Sequence, residues 1–362
     1  HLSRQVTTLF EELEQRNKTS ASINTIVHRG SKKHQVRLPL LSDIATGFRF
    51  RREVSGPDVM TLGAVVKSEL NRRMDKKVLG MRKLYGLNDS YAVSAVRQMI
   101  EGGNPPDFML VYLPDHDHEL HRKNPDCAAE SLVKVDRQVQ KILGAFPKWE
   151  DALKEYVFIV TGDHGQTKIG STSEFNIDLD RLFRPFHVLQ LGERLNGHDL
   201  VVCNNERMTY VYPLKSGVWQ HVIERLLSEP RIDLIAWKEN DGVTVREGGN
   251  GRRLHFSPGG NREDMYGMKW HVSGDETLLD LKTANGKIVF GDYPDALSRL
   301  YGALYSQDVN QIVITARPRF EFKCRYYPTH INGGSHGSLH KYDSLVPLIV
   351  VGSGLPVPAT LI

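Results

Sequence analysis

The stretch "NPPDFMLVYLPDHDHELHRKNP", Asn104 to Pro125, decides how the chain is read. Its first half, "FMLVYL", is a continuous apolar run, as expected of a strand covered on both faces. Directly after it, Asp115 to His121 hold three carboxylates, three imidazoles and a single leucine, Leu120. Upstream, "NDSYAVSAVRQMIEGG" (88–103) carries helical spacing, with Asn88 or Asp89 as cap and Gly102 and Gly103 as stop. Downstream, Asn124 and Pro125 open a second helix, with Leu132, Val135, Val139, Ile142, Leu143 and Phe146 as its expected buried stripe. "YVFIV" (156–160) reads as the next buried strand.

Strand, helix, strand with unbroken apolar runs predicts an α/β fold, a mostly parallel sheet sandwiched by helices. Ligands of such sheets bind beyond the carboxyl ends of the strands, where residues 115–121 stand. Nearer the start, "SRQVTTLFEELEQRN" (3–17) predicts a helix with Ser3 as N-cap, and "ASINTIV" (21–27) a strand. From 199 to 292 the texture changes to short runs such as "DLVVCNN", "MTYVYPL", "DLIAWKE", "GVTVRE" and "RRLHFS", separated by turn residues. This segment is expected to be an antiparallel-rich insertion with a helix near 217–228, inside a core made of 1–198 and 293–362. After it, "YPDALSRLYGALYSQ" (293–307) predicts helix, and "QIVITA" and "SLVPLIVVG" predict strands.

Bulk composition narrows the function. With 362 residues, 40% hydrophobic and 25% charged, the chain is an ordinary globular protein of one large or two smaller domains. The longest apolar runs are too short to cross a bilayer, and "HLSRQVTTLFEELEQRNK" has no apolar segment of a secretory signal. Cys127, Cys203 and Cys324 show no CxxC pairing, which indicates neither a disulfide framework nor a zinc ribbon and favours a cytoplasmic setting without excluding an extracytoplasmic one. The net charge of +4 is small, with basic clusters at "HRGSKKHQVR" (28–37) and "RFRRE" (49–53), and no nucleic-acid motif occurs. Oligomeric state has no signature.

Three short segments at strand edges carry metal-ligand chemistry: Asp117-x-x-x-His121; "VTGDHGQT", with Asp163 and His164; and "GGSHGSLHKYDSLVPLIV", with His336 between glycines. Carboxylate and neutral imidazole suit zinc and related divalent ions, and glycines let the backbone turn tightly beside a substrate. Each segment alone is an ordinary loop; their joint placement on one sheet edge is the signal.

Taken in order, "YLPDHDHELHRKNP", "TGDHGQT" and "GGSHGSLHKYDSLVPLI" resemble the alkaline phosphatase superfamily, most closely its type I phosphodiesterase and nucleotide pyrophosphatase branch, especially bacterial proteins of that kind. Looser similarity runs from "TTLFEELEQ" to "GDYPDALSRLYGALYSQ". The resemblance implies a metal-dependent hydrolase of small-molecule phosphoric esters with two divalent ions, zinc first and manganese or another ion as alternatives. One ion would be held by Asp117, His121 and His336, and the other by Asp163 and His164 with an upstream Asp and a Thr or Ser nucleophile. Asp115 is a rival ligand to Asp117; His116, His118 and Glu119 are expected around the ligands or in solvent, and His340 and Asp343 to orient the His336 loop. In the family, the missing Asp and nucleophile precede the segment matched by "TTLFEELEQ", which here begins at residue 7. An N-terminal portion is therefore expected upstream of His1, and "PVPATLI" is expected to be a cut end. The rival readings are a phosphomonoesterase, a sulfatase-like or phosphonate-directed hydrolase, and a relative that binds metal or phosphate without turnover.

Overall fold

Thr8 starts the first helix. Its hydroxyl accepts from the Glu11 N–H, and the Glu11 carboxylate accepts from the Thr8 N–H at 2.7 Å, a reciprocal cap on α1 (Leu9–Gln15). The expected cap Ser3 lies outside the described residues. The computed structural model describes residues 6–26, 29–36, 53–66, 68–74, 79, 86–190, 193–249, 251–352 and 354. The basic cluster 49–53 falls outside them except for Glu53, as do both ends of 28–37. Two compact units result, one drawn from 4–119, 127–159 and 349–362, the other from 120–126 and 160–348.

In the first unit, β1 (Ser20–Ile23) is buried along its length and lies in parallel register between β2 (Val59–Thr61) and β3 (Phe108–Val111). The helix α2 (Asp89–Glu101) begins where the Asn88 side chain accepts the Tyr91 N–H at 3.0 Å and ends at Gly102. Tyr91, Ala92, Ala95 and Val96 pack on Ala21 and Ile23, forming the core of this unit. The parallel α/β expectation holds here.

The apolar runs mislead on coverage. Leu110 of β3 is 40% exposed rather than enclosed on both faces. Beyond β3 come α3 (Asp115–Lys123) and α4 (Ala128–Leu143). The predicted stripe of α4 is buried only at its far end: Ile142 and Phe146 join the core, Val135, Val139 and Leu143 are half-buried, and Leu132 is exposed. The expected buried strand β4 (Phe158–Thr161) pairs with the last strand, Leu348–Val351, in a two-stranded sheet, and Ile159 and Ile349 are exposed. An apolar run reports that a strand or stripe can be covered; it does not name what covers it.

The second unit opens with β5 (Thr167–Lys168) and β6 (Asn176–Asp178). A seven-stranded antiparallel-rich sheet then follows, comprising β7 (Leu200–Asn205), β8 (Met208–Pro213), β9 (Ile232–Glu239), β10 (Gly242–Arg246), β11 (Arg253–Glu263), β12 (Lys269–Gly274) and β13 (Ile312–Ala316). Its order is β12-β11-β10-β9-β13-β8-β7, so Ile312–Ala316, which follows the 199–292 segment, sits inside the sheet between β9 and β8. Alternation along the strands feeds two cores. Ile235, Ile312 and Ile314 face α5 (Trp219–Leu227), whose Val222, Ile223 and Leu226 are buried with them. Leu234, Ala236 and Val313 face α6 (Ala296–Tyr305) through Leu297, Leu300 and Leu304. Beyond β13, β14 (Glu321–Lys323) pairs with β6 and β15 (Gly334–Ser335) with β5. Among the described residues no helix is long and apolar enough to cross a membrane, and Cys127, Cys203 and Cys324 are free.

Candidate metal centre

A two-residue turn joins β7 to β8: Asn205 pairs with Met208, leaving Glu206 and Arg207 as the loop. Such turns favour Asn or Gly because they need positive φ; Glu206 adopts φ 59°, at a cost of about 1–2 kcal/mol. Both side chains are used. Arg207, wholly buried, forms an ion pair with the equally buried Asp343 and donates to Thr167 Oγ1 at 2.6 Å, to the Phe320 carbonyl at 3.1 Å and to the Ala316 carbonyl at 3.0 Å. Burial lowers the Arg207 pKa from its ordinary value, and the Asp343 charge opposes that shift. The Arg207 N–H donates to the His336 carbonyl at 2.9 Å. Glu206 Oε2 accepts from the His336 N–H at 3.1 Å and from Ser335 Oγ at 3.0 Å.

His336 is therefore held from below by the turn and from the side by β15, where Ser335 is registered with Thr167 of β5. Asp343, expected to steady this loop, does so: it accepts the Ser338 N–H at 2.8 Å and the Thr167 hydroxyl at 2.5 Å, and its carbonyl accepts the Gly165 N–H at 2.9 Å. His340 instead caps the short helix Lys341–Ser344. Two glycines are demanded by close approach. A Cβ on Gly165 would stand 2.2 Å from the Tyr342 carbonyl oxygen, and one on Gly333 2.0 Å from that of His121.

Three sequence-predicted histidines come together. The ring of His164 stacks on that of His336 with centroids 3.5 Å apart, and His121 lies 5.2 Å from His336. His121 Nδ1 donates to the Gly334 carbonyl at 2.7 Å and His164 Nδ1 to the Gly165 carbonyl at 3.0 Å. A carbonyl only accepts, so each Nδ1 carries a proton; in that tautomer of imidazole the lone pair is on Nε2, the nitrogen that would bind a metal. Asp163 Oδ2 is 3.7 Å from His164 Nε2, and its side chain is 60% exposed. Asp117 stands one turn before His121 on α3; the segment expected at a bare strand edge is helical, and the four-residue spacing places both on one face. Asp115, His116 and Glu119 line a cleft of about 590 Å³ together with Asp89 and Lys134. Burial pushes the Asp89 carboxyl up to about 6. Glu119 pairs with Lys134 at 2.5 Å.

Sequence reasoning missed Glu206 and His330. Glu206 Oε1 lies 3.6 Å from His121 Nε2 and Oε2 3.6 Å from His336 Nε2. The His330 ring lies 4.3 Å from that of His121. The one sequence hint was a Glu in a tight turn between two apolar strands, where Asn or Gly is the usual occupant.

The family model for type I phosphodiesterase/nucleotide pyrophosphatase matches residues 7–339, and the chain belongs to that family, within the alkaline phosphatase superfamily. No curated protein matches the chain. Among solved structures, human ectonucleotide pyrophosphatase/phosphodiesterase 5 is similar over 95% of this chain and 63% of its own, at 13% identity and a TM-score of 0.48. The inactive murine counterpart in complex with AMP aligns over 91% of this chain and 59% of its own, at 12% identity and a TM-score of 0.46. Phosphonoacetate hydrolase from Sinorhizobium meliloti 1021, in complex with phosphonoacetate, aligns over 95% of this chain and 68% of its own, at 12% identity and a TM-score of 0.46. The chain thus spans 63% of the length of the human protein.

Proposed function

We propose that the protein is a metal-dependent hydrolase of small-molecule phosphoric esters, acting as a phosphodiesterase or nucleotide pyrophosphatase with two divalent ions, zinc being the best match. Asp117, His121 and His336 would hold one ion, and Asp163 and His164 the other. The observation that carries this reading is the packing of His121, His164 and His336 into one cluster with Nδ1 of His121 and His164 tied to backbone carbonyls. Imidazole nitrogens and carboxylate oxygens are the donor set that zinc takes.

When bound, such a pair of ions activates a hydroxyl near neutral pH and offsets the charge that develops on the phosphoryl oxygens. The chain's own residues set the geometry. Gly334 and Gly165 fix the tautomers of His121 and His164, and Glu206 and Asp343 fix the His336 loop. No residue of this chain is assigned as the nucleophile.

The test is hydrolysis of aryl phosphate mono- and diesters by zinc-loaded protein, set beside H336A, H164A and D163N. Diester turnover that falls at least a hundredfold in each variant, with unchanged circular dichroism, is the expected result. Turnover in metal-stripped H336A equal to that of the unaltered protein would sink the reading. Monoesters hydrolysed faster than diesters would move the assignment to the phosphomonoesterases. Bound metal without any turnover would make the chain a binding relative.

A further inference from the structure

His121, Glu206 and His330 form a donor group that the two proposed ions do not account for: one ligand atom from each lies within 4.8 Å of the others. Three features separate it from an ordinary polar cluster. The first is spacing. At 3.6 Å, His121 Nε2 and Glu206 Oε1 are too far apart for a hydrogen bond. Two ligands of one tetrahedral ion, each about 2.1 Å from it, stand about 3.4 Å apart, which this pair already approaches. The second is tautomer control. His330 Nδ1 is 3.0 Å from Glu321 Oε2, and the His330 N–H donates to Glu321 Oε1 at 2.6 Å. Glu321 is wholly buried on β14, so the ring is fixed in orientation with its lone pair on Nε2. This is the carboxylate–histidine arrangement that supports metal-bound imidazoles, and the Gly334 carbonyl does the same for His121.

The third feature is the carboxylate. Glu206 Oε2 is engaged by Ser335 and the His336 N–H, while Oε1 faces His121. That carboxylate is carried at a left-handed turn position, φ 59°, where Asn or Gly would turn the chain with less strain. We propose that His121, Glu206 and His330 bind a divalent transition-metal ion, zinc or cobalt, as a two-histidine, one-carboxylate site. Because the neutral His121 ring has one lone pair, this ion and one held with Asp117 and His336 exclude each other. The group is thus an alternative resting position for a single ion, and it requires only His121 from the functional reading above.

The experiment is cobalt binding to chelator-stripped full chain carrying D117N, H336A and H164A, which disables both positions of the functional reading, followed by visible absorption and equilibrium dialysis. The expected result is a cobalt band that persists in this background, then disappears with at least a tenfold rise in Kd when E206Q or H330A is added. Glutamine keeps an acceptor for Ser335 and the His336 N–H, so E206Q removes charge without removing the turn's hydrogen bonds. Equal cobalt affinity with and without H330A and E206Q overturns the proposal, whatever the outcome of the hydrolysis assay. If that background does not fold, the zinc-induced rise in melting temperature of H336A alone, compared with H336A carrying H330A, decides. H330A must reduce that rise, and a rise matching that of H336A alone overturns the site.

Discussion

Replacing Asp343 with alanine tests the frame beneath the imidazole cluster. The substitution leaves the Arg207 guanidinium, with no exposed side-chain surface, without its counter-ion, and strips acceptors from the Ser338 N–H and the Thr167 hydroxyl. Breaking a buried pair by removing one partner costs about 3–5 kcal/mol, most of it the penalty of an uncompensated charge. A loss of 4 kcal/mol in a unit of this size lowers the melting temperature by on the order of 10 °C. Thermal unfolding by circular dichroism reads this directly. The paired change R207M with D343L supplies the control: apolar groups of similar volume remove both charges and recover most of the loss, though not the hydrogen bonds Asp343 accepts from Ser338 and Thr167 or those Arg207 donates to the Phe320 and Ala316 carbonyls. A D343A protein that melts within about 2 °C of the unaltered one, a difference of under about 1 kcal/mol, would refute the reasoning. So would a double variant that melts lower than D343A.

Two further outcomes are expected. Burial pushes the Asp233 carboxyl up to about 6, against hydrogen bonding from Tyr293 and the charges of Arg317 and Arg207. A carboxyl whose folded pKa is raised binds its proton more tightly when folded, so stability falls as pH rises from about 4 to about 6, by on the order of 3 kcal/mol. Denaturant midpoints across that window should show the fall, D233N should flatten it, and an equal slope in both proteins would contradict it. G333A places a Cβ 2.0 Å from the His121 carbonyl oxygen and should cost about 1–3 kcal/mol while weakening zinc binding; unchanged zinc affinity would show that the contact does not position His121.

Local signals were legible where the cause is local. Asn88 before a helical apolar pattern and Gly102 after it mark α2 at both ends, because caps act within a few residues. Five strands of the 199–292 segment read from runs broken by turn residues, while Lys269–Gly274, Leu281–Ala284 and Lys287–Phe290 were not read. The cap of α1 was misplaced because Ser3 and Thr8 are equivalent by residue type and the Thr8–Glu11 box wins by reciprocity. Coverage was misjudged for β3, β4 and α4, since apolar content reports potential burial and the neighbours are chosen elsewhere in the chain. His121, His164 and His336 stood out through glycine neighbours and spacing. Glu206 and His330 did not: what distinguishes them is a long-range approach to His121, which a single segment does not encode.

The Glu206–Arg207 turn has a bearing on the order in which the molecule assembles. It lies 130 residues from His336 along the chain, and His121 is 213 residues from the carbonyl that holds it. Closing loops of that length comes late relative to hairpins and helices, so no nascent or fragmentary chain presents the complete imidazole cluster. Zinc captured by this cluster would select finished molecules over partly folded ones, raising their population by mass action and making chelation a slow route to unfolding as well as to inactivity.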